Sequence, residues 1–188
     1  RGALDEALEC AEKSVQLRAR LLGEDHPDTA RAWTNVGSIH GARGDADEAT
    51  RCERRALEIW RARLGPDAPA SLQALANVAL LQRTQGNYTA ALELQREHLE
   101  RASARLGERD VTALRSRRLL ALTLARVGRR HEALEVVEEG LRAIPGDHRM
   151  ARELEGLRRE LAGPGGATRR GGRGGGKRGR GGRGKKRR

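Results

Sequence analysis

The feature that most constrains this chain is a self-similarity with a period of 42 residues. The clearest copy runs from Gly65 to Leu106. It opens Leu64-Gly65-Pro66-Asp67-Ala68-Pro69, passes through Ala76-Asn77-Val78-Ala79, turns at Gln85-Gly86-Asn87-Tyr88 and continues through Ala91-Leu92 to Leu99. One period earlier the same skeleton reads Leu22-Gly23-Glu24-Asp25-His26-Pro27, Thr34-Asn35-Val36-Gly37, Gly44, Ala49, Leu57. One period later it is worn: Leu106-Gly107-Glu108, Leu119-Leu120-Ala121, Gly128, Ala133-Leu134, Leu141. A half copy precedes them, so that Gly2, Gly44, Gly86 and Gly128 stand in register. Self-similarity at a fixed period of this length marks a stacked array of supersecondary units, each burying its apolar face on its neighbours.

Helical periodicity supplies the units. Arg1 to Leu22 reads as the second helix of a repeat, with Leu4, Ala7, Leu8, Ala11, Val15 and Leu22 on one face. The first full repeat, 23–64, predicts a helix from Pro27, where a missing N–H costs nothing, and a second over 46–64. In it Ala30, Trp33, Val36, Gly37 and His40 face Ala49, Cys52, Ala56, Leu57 and Trp60. Gly37 and Ala49 are small where the two helices cross. The second repeat, 65–106, predicts helices over 69–83 and 88–106. The third, 107–146, predicts 110–127 and 131–143, stopped by Pro145-Gly146. A last helix over 147–162, with Met150, Leu154, Leu157 and Leu161 on one side, reads as the cap that an open array end requires. The expected fold is therefore all-α.

Composition matters in two places. Phe is absent and aromatics make up 2% of the chain, which Ala/Leu-rich helix stacks tolerate better than a single compact core does. The net charge of +12 is unevenly placed. Residues 163–188 hold eleven Lys/Arg and no acids, leaving 27 basic against 26 acidic residues in the body. The body and the tail are thus two different physical objects. Twelve glycines and no large apolar residue in those last residues predict a segment that is disordered when free. No apolar run approaches the ~20 residues of a membrane helix, so no membrane partner is expected. Cys10 and Cys52 occupy equivalent repeat positions. Packed helices lie about 8–10 Å apart, beyond the ~7 Å a disulfide allows, so both are expected as free thiols filling small buried sites. That suits a reducing, cytoplasmic location.

The run Trp33-x-Asn35-Val36-Gly37, followed by Gly44, Ala49 and Ala56-Leu57, resembles the tetratricopeptide repeat (TPR), and Pro145 stands at the family's proline position. The period and the Leu22–Pro27 linker resemble the long repeats of kinesin light chains, a variety shared by many bacterial and algal proteins. The resemblance implies a right-handed superhelix of antiparallel helix pairs whose first helices line a concave groove. It also implies that Asn35 and Asn77 bond the backbone of an extended peptide; the third copy has Leu119 there. The family's helix A tyrosine is replaced by His40, Gln82 and Leu124. A chaperone-type carboxylate clamp would need basic residues where Thr34 and Leu119 stand.

No catalytic constellation is present: H-E-x-x-H, C-x-x-C and Walker-type patterns are all missing, and the five histidines are scattered. No enzymatic activity, cofactor, metal or small-molecule substrate is expected. On the concave side the repeat geometry implied by the resemblance places Arg31, Thr34, Asn35 and Ser38, then Gln73, Asn77, Leu80 and Arg83, then Arg115, Arg118, Leu122 and Arg126. Five arginines and no carboxylate predict a protein partner that presents an extended, acidic peptide. The other reading of the same arginines is a solvated helix face.

The tail offers three readings. Arg169, Arg170, Arg173, Arg178, Arg180 and Arg183 lie in segments that resemble RGG boxes, which bind RNA or DNA weakly and without sequence preference. Lys177-Arg178 and Lys185-Lys186-Arg187-Arg188 resemble a bipartite nuclear signal, or the tail carries no selected role. The function expected from the sequence is a non-enzymatic interaction scaffold. The alternatives are an RNA-associated protein whose tail binds while the body recruits a partner, and the interaction end of a larger signalling protein.

Overall fold

The computed structural model describes residues 2–163. Among them are eight helices and no strand: α1 (Gly2–Leu22), α2 (Pro27–Arg43), α3 (Ala46–Leu64), α4 (Pro69–Thr84), α5 (Tyr88–Leu106), α6 (Val111–Arg126), α7 (Arg130–Ala143) and α8 (Arg149–Ala162). Each helix packs chiefly on its neighbours in sequence, and α8 also reaches α6. Such nearest-neighbour packing is that of a solenoid.

Two kinds of turn alternate, and together they produce the long period. In the short one, Gly44 takes φ +90° and donates to Gly41 O, while Asp45 N donates to His40 O at 2.9 Å. This pair of bonds is a Schellman closure, which a Cβ at the left-handed residue would disfavour. It recurs at Gly86-Asn87 and Gly128-Arg129. The long turn needs more chain and has its own latches. Thr29 Oγ1 donates to Gly23 O at 2.9 Å, and Ser71 Oγ to Gly65 O at 2.7 Å. Arginines late in α3 and α5, the second helix after each linker, also hold the linkers: Arg63 donates to Asp25 O at 3.1 Å and Arg105 to Asp67 O at 2.9 Å. In the worn third copy Ala113 replaces the latching hydroxyl.

The core is built from small residues at the helix crossings. Ala30, Ala56, Ala74, Ala91, Ala102, Ala113 and Ala133 are completely buried, which is why the stack closes with few aromatics. At Gly37 a Cβ would stand 3.2 Å from Cys52 Cβ and 3.3 Å from Ala49 O. The expected close crossing of α2 and α3 is therefore present. Larger side chains fill the C-terminal end, where Leu114, Leu124, Val137, Met150 and Leu154 form one cluster. α8 covers that end with Met150, Ala151, Leu154, Leu157 and Leu161.

Three expectations are corrected. α8 begins at Arg149, not Asp147, because His148 Nδ1 accepts from Met150 N at 3.1 Å and so caps the helix. Cys52 is buried, but Cys10 is exposed. The face of α1 that carries Cys10 corresponds to the face of α3 that meets α2, and α1 has no such neighbour among the described residues. Leu22 is 48% exposed, as are its repeat counterparts Leu64 and Leu106 at 49% and 45%, because each closes its helix at the array surface.

Candidate functional site

The residues expected on the concave side sit on α2, α4 and α6, and the structure brings only some of them together. On α4, Asn77 is half-buried and its Oδ1 accepts from Gln73 Nε2 at 3.0 Å, one helical turn away. Asn35, its counterpart on α2, is exposed. Arg31 is exposed and paired with Asp28 at 3.2 Å. Arg83 is half-buried, and its Nε has no hydrogen-bond partner. On α6, Arg115 is exposed, whereas Arg118 turns to α8 and pairs with Glu153 at 3.4 Å. Arg126 Nε donates to the Tyr88 hydroxyl at 3.3 Å. Among the described residues, Arg83, Arg115 and Arg126 therefore have no carboxylate partner, and Arg31 and Arg118 do.

A recess of about 250 Å³ opens between α4 and α6, with α5 as its floor. Gln73, Leu80, Thr112 and Arg115 are exposed around its mouth, and Ala76 and Leu119 form its walls. Gln95 and His98 lie beneath, 6% and 7% exposed. His98 Nδ1 is 2.6 Å from Ser116 Oγ, and the Ser116 hydroxyl donates to Thr112 O at 2.9 Å. The serine hydrogen is thereby used, so the ring donates through Nδ1–H and keeps a lone pair on Nε2. Burial holds its pKa below the ordinary 6.5, so the ring is neutral. Gln95 Oε1 is buried and has no hydrogen-bond partner.

These floor residues come from the second helices of the repeats, and the sequence reading, confined to the first helices, passed over them. A signal was available. Glu53 and Gln95 occupy one repeat position, and each interrupts the apolar face of its helix. Glu53 is 4% exposed, and a Cβ on Gly37 would approach its Cγ to 3.4 Å. Burial pushes its pKa up; a hydrogen bond from Asn77 acts in the opposite direction. The concave side is therefore not free of carboxylates. Cys52, close by, has its thiol pushed up to about 11 by burial, which keeps it out of the reactive thiolate form.

A succession of antiparallel helix pairs with this turn alternation agrees with the family model for the tetratricopeptide repeat, which matches residues 1–62, 32–104 and 72–145. The chain belongs to the tetratricopeptide repeat family. Its fold is similar to the nearly identical TPR-like repeats of a kinesin-light-chain-type protein of Podosopora anserina. There the TM-score is 0.75 at 21% identity, over 86% of this chain and 78% of that one. A point variant of that protein gives the same values. BtubC (BKLC) from P. vanneervenii is also similar, with a TM-score of 0.74 at 15% identity over 86% of this chain and 66% of that chain. No curated protein matches the chain. The fold of these repeats is thus similar to that of kinesin-light-chain-type TPR repeats. TPR arrays are protein–protein interaction scaffolds, and this one has no described helix long and apolar enough to cross a membrane. The RGG-like arginines Arg169, Arg170, Arg173, Arg178, Arg180 and Arg183, and the basic run resembling a nuclear signal, lie outside the described residues.

Proposed function

We propose that this TPR array is a non-enzymatic scaffold that holds an extended, acidic peptide segment of a partner protein in its concave groove. The division that carries this function is three repeats, 23–64, 65–106 and 107–146, between a leading helix and a terminal one. The observation that carries the reading is the set of arginines without carboxylate partners, Arg83, Arg115 and Arg126, on the helices that line the groove. Guanidinium forks pair with carboxylates in two-point geometry. Arg31 and Arg118 contribute less, since Asp28 and Glu153 already share their charge. Asn77 is the stronger backbone clamp of the two asparagines, because Gln73 holds its carboxamide before any peptide arrives. The scaffold works in the cytoplasm, where Cys10 and Cys52 stay reduced.

The test is fluorescence anisotropy of a labelled acidic peptide and of its amidated, neutral counterpart, on residues 1–162 and on the full chain. Binding of the acidic peptide by residues 1–162, weakened about tenfold by Asn77→Ala and by Arg83→Ala with Arg115→Ala, is the expected result. Equal binding of both peptides, or binding only by the full chain, would overturn it.

A further inference from the structure

We propose that the recess between α4 and α6 is a specificity pocket for one carboxamide side chain, Gln or Asn, of the bound peptide. The inference rests on the groove's being a peptide site and adds which residue the peptide must present. Its basis is a comparison of two steps of the same array. At the first step the Glu53 carboxylate lies on the floor near Asn77 on α4, which acts to lower its pKa against the effect of burial, and Glu53 Oε2 has no hydrogen-bond partner. At the second step Gln95 takes the place of Glu53, and Leu119 on α6 takes the place of Asn77. The chain's own carboxamide is missing there, and Gln95 Oε1 is left buried without a partner beneath a recess of about 250 Å³. An unpaired buried carbonyl is costly, and a ligand that pairs it recovers that cost.

The rest of the pocket selects among donors. His98, more than nine-tenths buried, adds a second acceptor through its Nε2 lone pair. Arg115 at the mouth repels a cationic side chain, and two acceptors on the floor repel a carboxylate. A carboxamide answers both ends, since its N–H groups face Gln95 Oε1 and its oxygen faces the Arg115 guanidinium. Sites built to pair a donor reject analogues that lack one more strongly than apolar pockets reject a missing methylene.

The experiment uses the full chain and a positional-scanning library of short blocked peptides with an acidic background. The basic tail attracts such peptides whatever their order, so position-dependent selection reports the folded array. The expected result is enrichment of Gln and Asn at one scanned position. Gln95→Leu removes the unpaired carbonyl, and Leu119→Asn restores the chain's own carboxamide. Each should lower that enrichment about tenfold, with the preference for acidic peptides unchanged. Circular dichroism checks that both variants keep their helices, and the wild-type profile tests the pocket even where a variant unfolds. Acidic peptides selected equally well with Leu, Glu, Lys or Gln at every scanned position would overturn the pocket, and the anisotropy of residues 1–162 with the acidic and neutral peptides then decides whether the groove stands. No selection of acidic peptides at all would overturn the groove reading and the pocket with it.

Discussion

His98 on α5 and Ser116 on α6 meet in the interior with Nδ1 and Oγ 2.6 Å apart, a buried polar contact between consecutive repeats. Burial depresses the pKa of His98 below 6.5, so the folded chain keeps the ring neutral where the unfolded chain would protonate it. Above 6.5 neither state binds the proton, and the stability is complete. As pH falls below 6.5 the unfolded state alone binds it, and stability drops until the folded pKa is reached. The slope in that window is at most about 1.4 kcal/mol per pH unit. Urea unfolding of the wild type and His98→Gln from about pH 7.5 to about pH 5.5 should show this extra loss in the wild type only. Parallel curves would refute it.

Glu53 has the opposite sign. Its pKa is raised by burial, so its charged form is disfavoured in the fold and the folded state takes up a proton before the unfolded state does. Glu53→Gln should therefore stabilise the chain at neutral pH, by on the order of 1 kcal/mol. The gap between variant and wild type should narrow as the pH falls toward 4.5, the ordinary value. A variant less stable than the wild type at neutral pH would show that the carboxylate is favourably paired.

Gly37 and Gly41 lie one turn apart on α2 and should respond oppositely to alanine. A Cβ at Gly37 meets Cys52 Cβ at 3.2 Å, Ala49 O at 3.3 Å and Glu53 Cγ at 3.4 Å. Overpacking outweighs the gain in helix propensity there, for a net loss of about 1–2 kcal/mol. A Cβ at Gly41 meets nothing within 4 Å, so Gly41→Ala should gain roughly 0.5–1 kcal/mol. Paired denaturant titrations decide the point, and equal shifts would show that the α2–α3 crossing is looser than these distances.

Arg117 is 5% exposed, bonded to Glu139 at 2.8 Å and to Glu108 at 3.1 Å, and lies against the crossing at Gly140. Arg117→Ala loses both the packing and the pairing, at about 2–3 kcal/mol. Arg117→Met keeps most of the volume, and the two glutamates are exposed enough to be hydrated. It should cost less than about 1 kcal/mol, as buried ion pairs replaced by apolar groups often do. Thermal unfolding of the two variants separates packing from charge. A Met variant as unstable as the Ala variant would assign the whole effect to the ion pairs.

The eight helices, their turns and the succession of small crossing residues were legible in the sequence because each is decided within a few residues. Gly44 ends α2 through its own bond to Gly41 O and that of Asp45 N to His40 O, and Pro27 begins it. A fixed period then repeats that local information until it becomes an architecture. The candidate site was legible only in part: Asn77, Arg83 and Arg115 follow from the register of the first helices. The floor residues Glu53, Gln95 and His98 do not, because a polar residue on a helix looks solvated until its neighbour's position is known.

What the sequence by itself determined is the array: its period, its helices, its turn chemistry and its family. What the tertiary structure alone decided is how equivalent positions diverge. Cys10 and Cys52 share a repeat position, but only Cys52 is covered, since among the described residues a helix packs on that face of α3 and none on that face of α1. Arg115 and Arg118 sit a turn apart on α6, but Arg118 is taken up by Glu153 from α8. Asn77 has the carboxylate of Glu53 beneath it, whereas Leu119 has the carboxamide of Gln95, and each floor residue keeps one buried oxygen without a hydrogen-bond partner. Local periodicity says which side of a helix faces inward. Only the docking of one helix on the next decides what a side chain meets there, because burial and pairing depend on atoms distant in the chain.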